Sequence, residues 1–188
     1  VYTDGKGTKY DTQTYTKREG IFEKGAVMVL VDENSASAAE IVAGALQDND
    51  RALIVGRRSF GKGLVQRPLD LSYGTQVKVT ISRYYTPSGR CIQALDYAHK
   101  DKNGVATKTD AKNYTAFKTR KGRTVYDGGG IQPDIELDET KLSPIANALV
   151  KNDGIFNYAT SYYYKNPGLG DKIPVFSCGK LRALLLFL

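Results

Sequence analysis

Six consecutive apolar residues, Ala26-Val27-Met28-Val29-Leu30-Val31, constrain the fold more than any other part of the chain. A strand with one wet face alternates polar and apolar residues. An unbroken run rich in valine, closed by Asp32-Glu33-Asn34, predicts a strand buried on both faces. Such a strand needs helical cover, and the sequence supplies it at once. Ser37 to Asp48 reads as a helix, with Ile41 and Ala45 along it and a polar stop at Asn49-Asp50. Ala52 to Val55 is a second apolar strand, closed by Gly56. Strand, helix, strand in this order is a βαβ unit, which implies parallel pairing and a right-handed crossover. The expected fold class is therefore α/β.

The remainder reads as smaller pieces. Leu64 to Leu71 is extended, and Ser72-Tyr73-Gly74 turns the chain. Thr75 to Tyr85 alternates, with Val77, Val79 and Ile81 on one face and Gln76, Lys78, Thr80 and Ser82 on the other, as in a hairpin with one solvated side. Thr86-Pro87-Ser88-Gly89 is a turn. Residues 96–123 form a polar, basic insertion, and Asp127-Gly128-Gly129-Gly130 turns sharply into Ile131-Gln132-Pro133-Asp134. Ser143-Pro144 marks a helix start, with Gly154 as its expected end. A second helix, Ile155 to Lys165, is expected to stop at Pro167-Gly168. Leu181 to Leu188 is apolar and reads either as a docking segment or as an artefact of the sequence.

Composition narrows the classes of function. With 188 residues, 41% hydrophobic and 25% charged, the chain can bury one core. No run approaches the roughly 18 apolar residues of a membrane span. Val1 to Tyr10 is polar and looks like mid-domain sequence rather than a leader. Two cysteines, Cys91 and Cys178, allow a disulfide without requiring one, and a single histidine, His99, leaves no zinc-type spacing. The net charge is +7, and Lys100 to Arg123 alone holds eight bases against two acids. Aromatic residues are sparse there, so a solvated surface insertion explains the charge better than a nucleic-acid site.

Ser37-Ala38-Ala39-Glu40 has the form of a capping box, in which a serine caps the helix and a glutamate three residues on reaches back. The same place suits a nucleophile. A hydroxyl at a helix start sits beside free N–H groups and the positive end of the helix dipole, where an oxyanion is stabilised. Serine needs a base. His99 lies in the polar insertion, a poor place for one. A lysine serves only when neutral. Its ordinary pKa is about 10.4, so near pH 7.4 only about one in a thousand is neutral, and burial must lower that value. Lys62 is the candidate, set between Gly61 and Gly63 after an apolar strand. Gly56-Arg57-Arg58-Ser59-Phe60-Gly61-Lys62 also has the spacing of a phosphate-binding loop, which would require a hydroxyl residue and a helix next. Gly63 and an extended segment follow instead.

These residues carry a resemblance. Asn34-Ser35-Ala36-Ser37-Ala38-Ala39-Glu40-Ile41, Gly56, and Phe60-Gly61-Lys62-Gly63-Leu64-Val65-Gln66 resemble the core signature of the C-terminal processing, or tail-specific, serine peptidases. Tyr84-Tyr85-Thr86-Pro87-Ser88-Gly89-Arg90 with Ile92-Gln93, and Gly128-Gly129-Gly130-Ile131-Gln132-Pro133-Asp134, match in order. The 25-residue spacing of Ser37 and Lys62 fits that family's Ser–Lys dyad. The resemblance implies a crotonase/Clp protease-like stack of βαβ turns, with an antiparallel hairpin and C-terminal helices. It implies Ser37 as nucleophile, Lys62 as base, Gln66 as the residue orienting Lys62, and the Ala38 N–H as half of an oxyanion hole. Glu40 is assigned to capping. Residues 1–140 would be a partial catalytic core and 141–188 a helical segment with a tail. A PDZ domain and a glycine-rich segment supplying the other oxyanion donor belong upstream in the family. Protein or peptide substrates, no cofactor, no nucleic acid, and a bacterial cell-envelope or periplasmic setting complete the expectation. The alternatives are a non-catalytic binding or scaffold domain, with Ser37 a plain cap, and a nucleotide-binding domain at Gly56 to Lys62.

Overall fold

The computed structural model describes residues 1–20, 22–139, 141–166 and 183–187. Strand β1 (Tyr2–Gly5) and β2 (Thr12–Gln13) open the chain, followed by β3 (Ala26–Val31), α1 (Ala38–Asp48) and β4 (Leu53–Gly56). β3 and β4 pair in parallel, Met28 opposite Leu53 and Val31 opposite Gly56, so the βαβ unit forms where the apolar runs predict it. The chain divides after Asp138: the residues up to there, with the last strand, make one compact unit and two later helices make another.

β3 is buried mainly on one face. Val27, Val29 and Val31 are in the core with Ala43, Ala52, Ile54, Ile92 and Ile131, while Met28 and Leu30 on the opposite face are half-buried. The expected burial on both faces is thus met on one. Two further strands complete this parallel sheet in the order β11-β4-β3-β12: β11 (Ile135–Glu136) beside β4, and β12 (Ala183–Phe187) beside β3. The apolar tail therefore supplies a strand of the sheet.

A second sheet has the order β2-β1-β6-β5, with β5 (Leu64–Asp70) and β6 (Gln76–Tyr85) as the antiparallel hairpin. Pro68 is tolerated because β5 is an edge strand. The alternation of β6 gives a strand, but its apolar face is not covered. Val77 and Val79 remain 39% and 37% exposed and Leu69 41%.

The basic segment is not a structureless insertion. It carries the hairpin of β7 (Leu95–Lys100) and β8 (Ala106–Lys108), then β9 (Ala116–Lys118), which pairs with β10 (Thr124–Tyr126). Its end is tied to the last turn of α1, where the Gln47 carbonyl accepts from Arg123 and the Asp48 carbonyl from the Arg120 N–H, and Arg123 also forms ion pairs with Asp50 and Asp134. In the second unit, α2 (Pro144–Lys151) starts as expected, with Ser143 Oγ accepting from the Ala146 N–H at 3.2 Å. Gly154 does not end α2. That helix stops at Lys151, Asp153 takes φ 53°, and Gly154 is the first residue of α3 (Gly154–Lys165). Pro167-Gly168 and Cys178 lie outside the described residues, as does any pairing of Cys178 with Cys91.

Candidate active site

Two loops of the βαβ unit meet at the start of α1. One runs from β3 to the helix and carries Ser37. The other runs from β4 to β5 and carries Lys62. The Phe60 N–H donates to the Ser35 carbonyl at 3.0 Å, and Arg57 forms an exposed ion pair with Glu33. The decisive link is buried. Glu40, 0% exposed, accepts four hydrogen bonds. Its Oε2 takes the N–H of Ser37 and the N–H of Lys62, both at 2.8 Å. Its Oε1 takes the N–H of Gly61 at 2.7 Å and the hydroxyl of Ser59 at 2.5 Å. Because Ser37 N and Lys62 N share one oxygen, they lie no further apart than twice 2.8 Å. The structure thus brings the backbones of Ser37 and Lys62 together.

Ser37 itself is unusual. An ordinary N-cap residue has extended backbone angles. Ser37 has φ 59° and ψ −114°, in a region where a side chain is strained. The Glu40 half of the capping box forms, but the backbone geometry is not that of a plain cap. Ala38 is the first residue of α1 and is exposed; N–H groups of a first turn have no partner within the helix. Such a group can donate to an anion at the helix start.

The Lys62 backbone is held from both sides. Gly63 N–H donates to Gln93 Oε1 at 2.8 Å, and the Gly63 carbonyl accepts from Tyr84 N–H at 2.8 Å. The Gly61 carbonyl accepts from Ala94 N–H at 2.9 Å. Both glycines are required: a Cβ on Gly61, at φ +88°, would lie 2.3 Å from the Ala94 Cβ, and one on Gly63 would lie 2.8 Å from the Gln93 nitrogen. The Lys62 side chain is half-buried and forms no ion pair among the described residues.

Gln66 is exposed on β5, directly after a register shift between Val65 and Gln66, and opposite Thr80. Its side chain makes no hydrogen bond to Lys62 among the described residues. His99 is exposed on β7, 2.6 Å from Asp96, whose carboxylate raises the imidazole above its ordinary value by hydrogen bonding and then by charge. Cys91 is half-buried, and burial raises its thiol. No cluster of three or more His, Cys, Asp or Glu side chains suited to a metal occurs among the described residues.

The phosphate-loop reading is overturned. β5, a strand, follows Lys62 where such a loop requires a helix. The N–H groups of Gly61 and Lys62, which would cradle a phosphate, are already given to the Glu40 carboxylate.

Sequence reasoning missed the buried face of α1. The buried residues are Glu40, Ala43, Gly44, Gln47 and Asp48, a helical stripe in which three of five are polar. Asp48 Oδ1 and Gln47 Oε1 both accept from Arg90 at 2.8 Å, and the Arg90 and Asp48 side chains are 0% exposed. The signal was available. Small and polar residues recur at three- and four-residue spacing, while Val42 on the opposite side is 45% exposed.

Comparison with known proteins adds to this geometry. A family model described as peptidase family S41 matches residues 1–102. The "C-terminal processing peptidase, chloroplastic" of Tetradesmus obliquus is 56% identical over 69 residues, covering 37% of this chain and 15% of its own. The "Carboxyl-terminal-processing protease" of a Synechocystis strain is 51% identical over 96 residues, covering 50% of this chain and 22% of its own. A solved structure, the photosystem II D1 C-terminal processing protease, is 36% identical over 60% of this chain and 20% of its own, with a TM-score of 0.40. The chain thus spans between 15% and 22% of the length of these relatives.

Proposed function

The chain belongs to peptidase family S41, and on that premise we propose that it carries the Ser–Lys chemistry of a serine endopeptidase cutting protein substrates near their C-termini. The observation that carries this reading is the shared Glu40 oxygen, which holds the Ser37 and Lys62 backbones together. The Ser37 oxygen attacks the scissile carbonyl carbon, and its proton passes to neutral Lys62 Nζ. The carbonyl oxygen becomes an oxyanion, received by the Ala38 N–H at the positive end of α1. The C–N bond then breaks, the amine leaves with the proton from Lys62, and an acyl-enzyme remains. Water, activated by Lys62, repeats the sequence and releases the acid. The family resemblance gives Gln66 the role of orienting the lysine by a hydrogen bond, a contact not made among the described residues.

A scaffold reading, with Ser37 as a plain cap, is disfavoured by its backbone angles, since capping alone calls for no strained residue. The relatives include chloroplast and bacterial proteins. A bacterial cell-envelope site of action is kept as part of the proposal, with the plastid as the other compartment. No helix among the described residues is long and apolar enough to cross a membrane.

A fluorophosphonate probe, which phosphonylates an activated serine with loss of fluoride, tests the dyad across pH 6 to 10. Labelling of wild type that vanishes in Ser37→Ala and Lys62→Ala is the expected result. Undiminished labelling in Lys62→Ala, or labelling at another serine, would sink it.

A further inference from the structure

We propose that Glu40 is a positioning residue that holds the nucleophile loop and the base loop in mutual register, with Ser59 extending that hold to the loop at Ile131. The inference rests on the Ser37–Lys62 reading above and deepens it.

A capping box uses one bond from the glutamate. Here one of the four bonds, from Ser37 N–H, is of that kind. The other three come from Ser59, Gly61 and Lys62, on the far loop. Each carboxylate oxygen accepts two donors, so both are used. Burying a carboxylate is unfavourable unless donors or a cation replace water. Glu40 takes part in no ion pair among the described residues, so donors and the N-terminal end of the helix dipole do the replacing. An apolar side chain would fill the space without that penalty, but would leave four donors unmatched and the two loops unlinked.

Ser59 is 6% exposed. Its hydroxyl donates to Glu40 and accepts from the Ile131 N–H at 2.7 Å, while its own N–H donates to the Ile131 carbonyl at 3.1 Å. Ile131 is fully buried in the core. The Glu40 carboxylate is therefore fixed to the core at one oxygen and to both reacting residues' backbones at the other. With the Gly63 contacts to Gln93 and Tyr84, the root of the Lys62 side chain is set on either side. Small misplacements of reacting groups are expensive in rate, about 100-fold for an error near 1 Å.

Glutamine keeps the shape of Glu40 but has one accepting oxygen. Whichever corner its NH₂ takes, that group faces a backbone N–H. Glu40→Gln is therefore expected to fold and to label about 10- to 100-fold more slowly per folded molecule. Ser59→Ala is expected to lose rate as well, and Ser59→Thr, which keeps the hydroxyl, to recover most of that loss. Rates are normalised to the folded fraction from circular dichroism, so instability alone cannot mimic the effect. In parallel, amide hydrogen exchange by NMR should accelerate at Ser37, Gly61 and Lys62 in Glu40→Gln while Val29 and Ile54 stay protected. Labelling of Glu40→Gln within twofold of wild type, or unchanged exchange at those three amides, would overturn the proposal. No labelling of wild type would overturn the Ser–Lys reading instead, and the exchange measurement would show that failure to be separate.

Discussion

The strained backbone of Ser37 has a measurable size. At φ 59° and ψ −114°, a residue with a Cβ is held at a cost of about 1–3 kcal/mol. Glycine escapes that cost but loses about 0.4–1 kcal/mol through the greater freedom of its unfolded chain. Ser37→Ala and Ser37→Gly both delete the hydroxyl, so any bond it makes is lost from both. Their difference isolates the backbone. Ser37→Gly should therefore be the more stable, by about 1.3 kcal/mol at the middle of these ranges and by about 2.6 kcal/mol at most. For a chain of this length the middle value is roughly 3 to 5 °C in melting temperature. The assay is thermal or urea unfolding of the two variants side by side, with the fluorophosphonate probe confirming that neither labels. An alanine variant as stable as the glycine variant, or more so, would mean that Ser37 stores no strain and would remove the main argument against a plain cap.

Three further perturbations probe the frame of the site. Arg90→Met leaves Asp48 fully buried with the Ser88 N–H at 3.0 Å in place of a guanidinium, and should destabilise by about 3–5 kcal/mol in urea titrations; the double variant with Asp48→Leu should recover much of the loss. Gly61→Ala drives a Cβ against Ala94 at 2.3 Å, so it should destabilise by about 1–3 kcal/mol and slow labelling. Wild-type stability and labelling in that variant would show that the loop yields freely. Acid sensitivity should arise at Asp50. Burial acts to raise its carboxyl, but Arg123, the Lys121 N–H and the Thr119 hydroxyl together hold it below its ordinary value of 3.8. With the folded value depressed, the group's stabilisation is complete above its unfolded value and lost as pH falls through the folded one. Asp50→Asn should flatten that acid limb in unfolding measured from pH 5 to 2.

The parallel pair and its helix were legible because hydrophobic period and length are local signals. β3, α1 and β4 fall within a residue or two of where Ala26–Val31, Ser37–Asp48 and Ala52–Val55 place them. What covers each face was not legible. Met28 and Leu30 look no different in sequence from Val27 and Val29, yet one set is half-buried and the other is core. Val77 and Val79 alternate as a buried face should and are left open. Burial depends on what lies opposite, and strand pattern carries no word of that. Ser37 and Lys62 could be chosen from chemistry and motif spacing. Glu40 could not be given its wider role, because three of its donors lie on another loop and only folding brings them near.

The polar stripe of α1 has a consequence for how the nucleophile is aimed. A helix lying on the core through leucines alone could roll a few degrees about its axis or creep along it with little change in contact area, since apolar contact is nearly isotropic. Hydrogen bonds are short and directional. Glu40 is tied at the N-terminal end, while Gln47 and Asp48 are tied to Arg90 and Ser88 near the C-terminal end. The helix is therefore keyed at both ends, against rotation about its axis and against slip along it. A change near Arg90 should then be felt as a mis-aimed hydroxyl about three turns away, with no residue of the site itself altered.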